Sequence, residues 1–149
     1  MHTHSFGDYV SCLETGNWQG VADLMLSSAQ KLAGMGADFL VCPDNTIHQA
    51  LPLVAPRSPL PWLHIAEVVA DEAAARGFRR LGITGTRWLV DSEVYPGALT
   101  ARNIDFVRPR DDERDEINRI IMNELVFGTF EARGIGYFRS VIENFERAG

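Results

Sequence analysis

The chain has 149 residues and a formal net charge of −6, so it is long enough to bury the core of one domain. A nucleic-acid surface needs clustered Lys and Arg, and Lys31 is the only lysine, so we expect no nucleic-acid partner. No apolar run approaches the roughly 20 residues that cross a bilayer, and the first residues do not form a signal peptide. We expect a cytoplasmic protein with a small-molecule partner and no membrane contact.

The first part of the chain predicts a helix and then a strand. Asn17 can cap a helix that ends at Gly34 or Gly36, and a strand follows over residues 38–42. The proline-rich stretch "LPLVAPRSPLPW" predicts a surface connection to "WLHI". The N-terminal "HTHSFGDY" is typical of a chain that leaves a strand, although the sequence contains no strand before it.

The second part repeats the alternation of helix and strand. A helix over residues 66–76 leads to the strand 78–84, and a helix over 91–102 leads to the strand 104–108. Asp111 or Asp112 can cap the strongly amphipathic helix "ERDEINRIIMNELVFG", which Gly128 closes. Because helices and strands alternate, the sequence predicts an α/β fold with a parallel sheet covered by helices on both faces.

A joint from helix to strand through glycine or asparagine occurs three times, within "LAGMGADFLVC", "AAARGFRRLGIT" and "LTARNIDFVR". The last helix ends in "VIENFERAG", which has the same helix end without a following strand. We therefore expect the sequence to be an internal piece of a larger fold.

Polar residues follow two of the predicted strands, at the edge where open parallel sheets bind their ligands. The first group follows the strand 38–42, where the start of a helical turn offers backbone N–H groups to a carboxylate. It comprises Asp44, Asn45, Thr46 and His48. The second group supplies hydroxyls and a backbone that a ligand can approach closely, and it comprises Thr84, Gly85 and Thr86. We expect both loops to face one crevice that holds a small anion.

Each of these residues also has an ordinary structural explanation. Asp44 is a good helix cap, and Asn45 and Thr46 are common in turns. His48, and His64 within an apolar strand, fit the pattern of buried core histidines, and the acidic residues 111–113 are typical of a solvated first turn. The two cysteines, Cys12 and Cys42, are too few for a disulfide framework and are taken as free thiols.

Taken together, the motifs resemble the aspartate/glutamate racemase family, the PLP-independent amino-acid racemases. The resemblance extends from "HSFGDY" to "YFRSVIENF" and rests on "GADFLVCPDNTIHQA", "PWLHIAE", "RRLGITGTRWLVDSEVYPGALTARNIDFVRP" and "INRIIMNELVFG". The specific combination is Asn-Thr-x-His after a strand, His-Ile in the next strand, and Gly-Thr-Arg at the start of a helix that contains Tyr95 and Leu99.

The resemblance implies two pseudo-symmetric α/β halves with the site between them. Residues from about 1 to about 60 would form part of the first half, and residues from about 61 to 149 would form the second half. It also implies an isomerase that moves the α-proton of aspartate, glutamate or a related small carboxylic acid between two opposed bases, without a cofactor. By the same resemblance, Asn45 and Thr46 would hold a substrate carboxylate together with the loop 84–86.

The chain departs from the family pattern at the two bases. The family's first base immediately precedes the Asn, and Asp44 occupies that position, while Cys42 lies two residues earlier. A carboxylate can remove a proton if burial raises its pKa, so Asp44 is the first catalytic candidate and Cys42 the second. The family's second base stands in a Cys-Thr-Glu segment that would follow Gly149, and its first strand would precede Met1, so the activity of this chain itself is expected to be impaired.

Two other functions fit parts of the sequence. A non-catalytic dicarboxylate-binding module or inactive fold remnant would still use Asn45, Thr46 and Thr86. A metal-dependent hydrolase would draw its ligands from His2, His4, Asp44 and His48, since His-x-His near a strand is a metal-site pattern. In each case we expect a homodimer or larger assembly, because a sheet without its outer strands exposes unpaired edges.

Overall fold

The computed structural model describes residues 1–147 and divides into two compact units, Met1–Val69 and a second unit that begins at Ala70. The first unit contains the helices α1 (Phe6–Glu14), α2 (Trp18–Gly34) and α3 (Leu51–Val54) and the strands β1 (Leu40–Val41) and β2 (Trp62–Leu63). Helix α4 (Ile65–Ala75) contains the boundary between the units. The predicted division of a larger fold near residue 60 stays a prediction.

Helix α2 forms the core of the first unit, as its cap and its apolar spacing predict. The Asn17 side chain accepts a hydrogen bond of 2.9 Å from the Gly20 N–H, which satisfies one of the unpaired donors at the helix start. Val21, Met25 and Ala29 recur every four residues and are fully buried. Strand β1 pairs in parallel with β2, with Leu40 opposite Trp62, so both strands end at the same edge.

Two predictions for the first unit are wrong. The "HTHSFGDY" segment is not an exit loop over its whole length, because α1 begins within it at Phe6. The proline-rich segment is not only a surface connection, since it forms α3 and a 3₁₀ turn over Ala55–Arg57 and buries Leu51 and Val54. Its first proline lies in the first turn of α3, where a missing N–H costs the helix nothing.

The second unit contains the strands β3 (Arg80–Gly82) and β4 (Asp105–Val107), which pair in parallel with Gly82 opposite Val107. Its helices after α4 are α5 (Arg87–Val90), α6 (Val94–Thr100), α7 (Asp111–Asn123) and α8 (Ala132–Arg147). Asn103 has a φ of 55°, which confirms the predicted left-handed joint between α6 and β4. The core of this unit comprises Ala70, Ala73, Ile83, Leu99 and Ile104.

Helix α8 lies directly against strand β3. A Cβ atom placed on Gly82 would lie 2.5 Å from Cδ2 of the Phe145 ring, which is closer than carbon atoms approach. Glycine at this position therefore lets an aromatic ring of α8 cover the backbone of the strand.

The start of α7 differs from the prediction that Asp111 or Asp112 caps it. The N-cap is Arg110, whose backbone N–H donates to Oε2 of Glu113 at 2.9 Å. Glu113 is only 4% exposed, and its Oε1 accepts a hydrogen bond of 2.6 Å from Asn144 of α8. The acidic first turn is therefore not wholly solvated, since one of its carboxylates joins two helices.

The α/β class with parallel strands is confirmed. In the described part of the chain the strands form two sheets of two strands each, where the sequence predicts one sheet. The helix predicted over 91–102 begins later, at Val94 of α6, and a separate helix, α5, precedes it. Helix α5 ends where the buried Ser92 hydroxyl donates to the Leu89 carbonyl at 2.7 Å. Within residues 1–147, no helix combines the length and apolar character needed to cross a membrane.

Candidate functional site

The polar segment after β1 forms a turn, residues 44–48, which we call the Asp44 turn. Oδ1 of Asp44 accepts hydrogen bonds from the N–H groups of Thr46 at 2.8 Å and Ile47 at 3.3 Å. The cap explanation of Asp44 is therefore confirmed. The expectation that these N–H groups are available to a ligand is wrong, since the Asp44 carboxylate already satisfies both.

Three polar side chains of the Asp44 turn differ in exposure. Asp44 itself is exposed. Asn45 is half-buried, and its backbone carbonyl accepts a hydrogen bond of 3.3 Å from the His48 N–H. Thr46 is buried at the start of the 3₁₀ helix Thr46–Ala50. The turn thus places a carboxylate at the surface with an amide and a hydroxyl directly after it.

His48 is the most deeply buried polar residue of the turn, with 1% of its surface exposed. Its Nδ1 lies 2.7 Å from the Asp44 carbonyl oxygen, and its ring meets the ring of His64 edge-on with centroids 5.0 Å apart. His64 follows β2 and is not inside a strand as predicted. Burial lowers the pKa of His48, although the carbonyl of Asp44 partly opposes this effect.

Cys42 is a poor candidate for a thiolate base. Its half-buried Sγ donates a weak hydrogen bond of 3.7 Å to the Asp44 carbonyl. Burial raises the pKa of this thiol, and the neighbouring Asp44 carboxylate raises it further. Cys42 is therefore a protonated thiol near neutral pH. Cys42 and Cys12 are both free, as the sequence predicts.

Tyr9 of α1 belongs to the surroundings of the Asp44 turn, and the sequence analysis did not single it out. Burial raises the pKa of the Tyr9 hydroxyl, and the acidic groups of Cys42, Asp44 and Cys12 add to this rise. Tyr9 lies within the quoted segment "HSFGDY", which was the only available signal. Its position near the Asp44 turn depends on α1, which the sequence analysis did not predict.

The N-terminal histidines do not form a metal site with the Asp44 turn. Lys31 Nζ donates to Nε2 of His2 at 3.0 Å, while Nδ1 of His2 donates to the Ser28 hydroxyl at 2.9 Å, so both ring nitrogens are engaged. The ring of His4 packs edge-on against His2. Over the described range 1–147, no three His, Cys, Asp or Glu side chains are grouped to hold a metal ion.

The second predicted loop, residues 84–86, follows β3 in the second unit. Thr84 is exposed, and the Thr86 carbonyl accepts the N–H groups of Leu89 and Val90 at the start of α5. A Cβ atom on Gly85 would lie 2.9 Å from Cδ2 of Leu89, so this position needs glycine unless Leu89 moves. Because the Asp44 turn belongs to the first unit, a shared crevice stays a prediction.

A cation near the loop 84–86 was also missed by the sequence analysis. Arg108 follows β4, which pairs with β3, so it leaves the sheet at the same edge as Thr84. Its guanidinium donates to the Ser92 carbonyl at 2.9 Å and lies 5.1 Å above the Phe106 ring. A lone arginine after a strand carries no sequence signal, and its position depends on the pairing of β3 with β4.

The chain is similar to known proteins over nearly all of its length. The family model described as Asp/Glu/hydantoin racemase matches residues 1–148. A crystal structure of a proposed Asp/Glu racemase from Yersinia pestis is 31% identical, with a TM-score of 0.84, and the match covers 98% of this chain and 64% of that one. An aspartate racemase homologue from Pyrococcus horikoshii OT3 is 27% identical, with a TM-score of 0.77, over 99% of this chain and 64% of that one. The chain thus spans 64% of the length of these two structures.

Proposed function

This chain belongs to the Asp/Glu/hydantoin racemase family, and from that membership we propose that it acts on aspartate, glutamate or a related small carboxylic acid. The proposed reaction is a cofactor-independent transfer of the α-proton. The observation that supports it is the Asp44 turn, which follows a parallel strand and carries an exposed carboxylate immediately before Asn45 and the buried Thr46. Ligands of parallel sheets bind at this edge.

In this proposal Asp44 removes the α-proton, and the electron pair of the C–H bond passes into the substrate carboxylate. Asn45 and Thr46 hold that carboxylate. A second base returns a proton to the opposite face of the α-carbon, which inverts it. We assign no described residue to this second base, and a chain with one base would exchange the α-proton of one enantiomer without inverting it.

We expect the wild-type chain to exchange the α-proton of at least one enantiomer of aspartate or glutamate with solvent. The measurement is proton NMR of the D- and L-forms of both amino acids in D₂O, with loss of the α-proton signal as the readout. A parallel sample without protein controls for spontaneous exchange. Retention of all four signals would contradict the proposed reaction for these substrates.

One observation favours a second candidate, a dicarboxylate-binding module without chemistry. The Asp44 carboxylate already accepts two backbone hydrogen bonds as a cap, and the raised pKa of Cys42 keeps its thiol protonated. A binding module would be stabilised by its ligand, by about 2.7 kcal/mol at a ligand concentration one hundred times the Kd. Thermal stabilisation by aspartate or glutamate without α-proton exchange would support this candidate.

We further propose that the protein is cytoplasmic and that it self-associates as a dimer or larger assembly. Helix α8 and the turn before it line an open cavity of about 290 Å³ whose walls are apolar, and Phe130 and Ile142 on this surface are 70% and 51% exposed. Exposed apolar surface of this kind favours association.

Sedimentation velocity at micromolar concentration is expected to show a dimer, and Ile142→Asp is expected to weaken it. A monomeric wild-type chain would contradict self-association.

A further inference from the structure

We propose that His48 is a positioning residue that fixes the Asp44 turn by donating its Nδ1–H to the Asp44 carbonyl. The inference deepens the proposed function and rests on it, because the same turn carries Asn45 and Thr46, which would hold the substrate carboxylate. His48 itself touches no reacting atom in this proposal. It acts through the backbone of the turn.

The geometry determines which ring nitrogen carries the proton. Nδ1 lies 2.7 Å from the Asp44 carbonyl oxygen, and a carbonyl oxygen only accepts hydrogen bonds. Neutral His48 must therefore carry its proton on Nδ1, which leaves Nε2 unprotonated. Nε2 is buried and makes no hydrogen bond to the described residues. A change of tautomer would break the bond to Asp44.

This hydrogen bond joins the last residue of the turn to the first. The Asp44 carboxylate binds the N–H groups of Thr46 and Ile47, while the Asp44 carbonyl receives the His48 side chain. Asp44 is thus held from both its side chain and its backbone. Because the side chain of His48 is 1% exposed, water does not compete for the carbonyl from the side of the ring.

The surroundings of His48 favour the neutral ring. His64 packs edge-on against it, and its Nδ1 is likewise buried without a hydrogen-bond partner among the described residues. The groups that act on the His48 charge are His64, the carboxylate and carbonyl of Asp44, and the Leu63 carbonyl at the end of β2. Helices α2 and α3 also pack against the turn, and no titratable group on either acts on His48. A proton on His48 would place a cation in this buried position beside His64.

Two substitutions replace the ring by an amide and differ in where they place the N–H donor. His48→Asn places an amide N–H₂ near the position of Nδ1, whereas His48→Gln places it one bond farther from the backbone, near the position of Nε2. We expect His48→Asn to bind aspartate or glutamate within about threefold of wild type and His48→Gln to bind at least about tenfold more weakly. Calorimetric titration with each amino acid gives the affinities. Equal losses in both variants would overturn the positioning role.

The tautomer is tested directly by ¹⁵N NMR of the histidine rings in labelled wild-type protein at neutral pH. We expect His48 to show a protonated Nδ1 and an unprotonated Nε2. The opposite tautomer would overturn the proposal. This measurement needs no substrate, so it separates failure of the positioning role from failure of the proposed racemase-type reaction, in which none of the amino acids would bind or exchange.

The pH dependence supplies a further readout. The folded-state pKa of His48 is lowered, so as the pH falls His48 becomes protonated in the unfolded chain before it does in the folded chain. The free energy of unfolding therefore decreases as the pH falls below 6.5. We expect wild type to lose more thermal stability than His48→Asn between pH 7 and pH 5. His64 is present in both proteins, so its titration cancels in the comparison. An equal loss in the two proteins would count against the proposal.

Discussion

The Asp44→Asn variant is expected to keep the folded Asp44 turn and to lose α-proton exchange, whereas Asp44→Ala is expected to lose both. The oxygen of an asparagine side chain accepts the N–H groups of Thr46 and Ile47 as the carboxylate does, since Asn and Asp are comparable helix caps. An amide does not accept the α-proton at neutral pH. Removal of a general base typically lowers a rate by about 10²- to 10⁴-fold.

The two variants separate the two roles of Asp44. Alanine is expected to cost about 0.5–2 kcal/mol of stability through the lost cap, and asparagine much less. The readouts are the loss of the α-proton signal in D₂O for the rate and thermal unfolding for the stability. If Asp44→Asn exchanged the α-proton as fast as wild type, Asp44 would be only a cap, and Cys42→Ser would be the next variant to measure.

The Leu99→Ala variant is expected to lose about 2–5 kcal/mol of unfolding free energy. Leu99 of α6 has no exposed surface and belongs to the core cluster of the second unit, together with Ile83, which follows β3, and Ile104, which precedes β4. Alanine removes the buried methyl groups and leaves a cavity that the neighbours fill only in part. Urea unfolding followed by the fluorescence of Trp88, the tryptophan of this unit, measures the change.

Leu53→Ala provides the matched control for this prediction. It is the same chemical change at a leucine that is 42% exposed, and it is expected to alter stability by less than about 0.5 kcal/mol. Similar losses for Leu99→Ala and Leu53→Ala would contradict the assignment of Leu99 to the core.

Local sequence signals predicted the helices of this protein well where the cap or the end is made by neighbouring residues. Asn17 caps α2 through Gly20, and Gly128 and Asn103 adopt positive φ angles where the sequence indicates a helix end or a joint. Each of these features depends on residues at most a few positions apart. The prediction that an aspartate caps α7 is wrong, because the N-cap is Arg110, whose backbone N–H donates to Glu113. The further contact of Glu113 with Asn144, 31 positions away, has no local sequence signal.

The difference between features made by neighbouring residues and features made by distant ones also applies to the candidate site. The order "PDNTIH" after a strand identified Asp44 and its neighbours, because strand ends and turn formers are visible in sequence. The pattern did not show that the Asp44 carboxylate accepts the N–H groups of Thr46 and Ile47. An aspartate at this position can be a helix cap or a free carboxylate, and the sequence does not distinguish the two. It also missed Tyr9 and Arg108, whose places near the predicted loops depend on α1 and on the pairing of β3 with β4.

The sequence by itself determined the family, the alternation of helix and parallel strand, and the chemistry offered after each strand, because these depend on residue types and short spacings. Only the tertiary structure decided which polar groups are available. It buried His48 against the Asp44 carbonyl, engaged His2 with Lys31 and Ser28, and surrounded the Cys42 thiol so that its pKa rises. Burial, and hydrogen-bond partners such as Lys31 and Ser28 for His2, come from segments distant in sequence, and they determine whether a side chain can bind a ligand or move a proton.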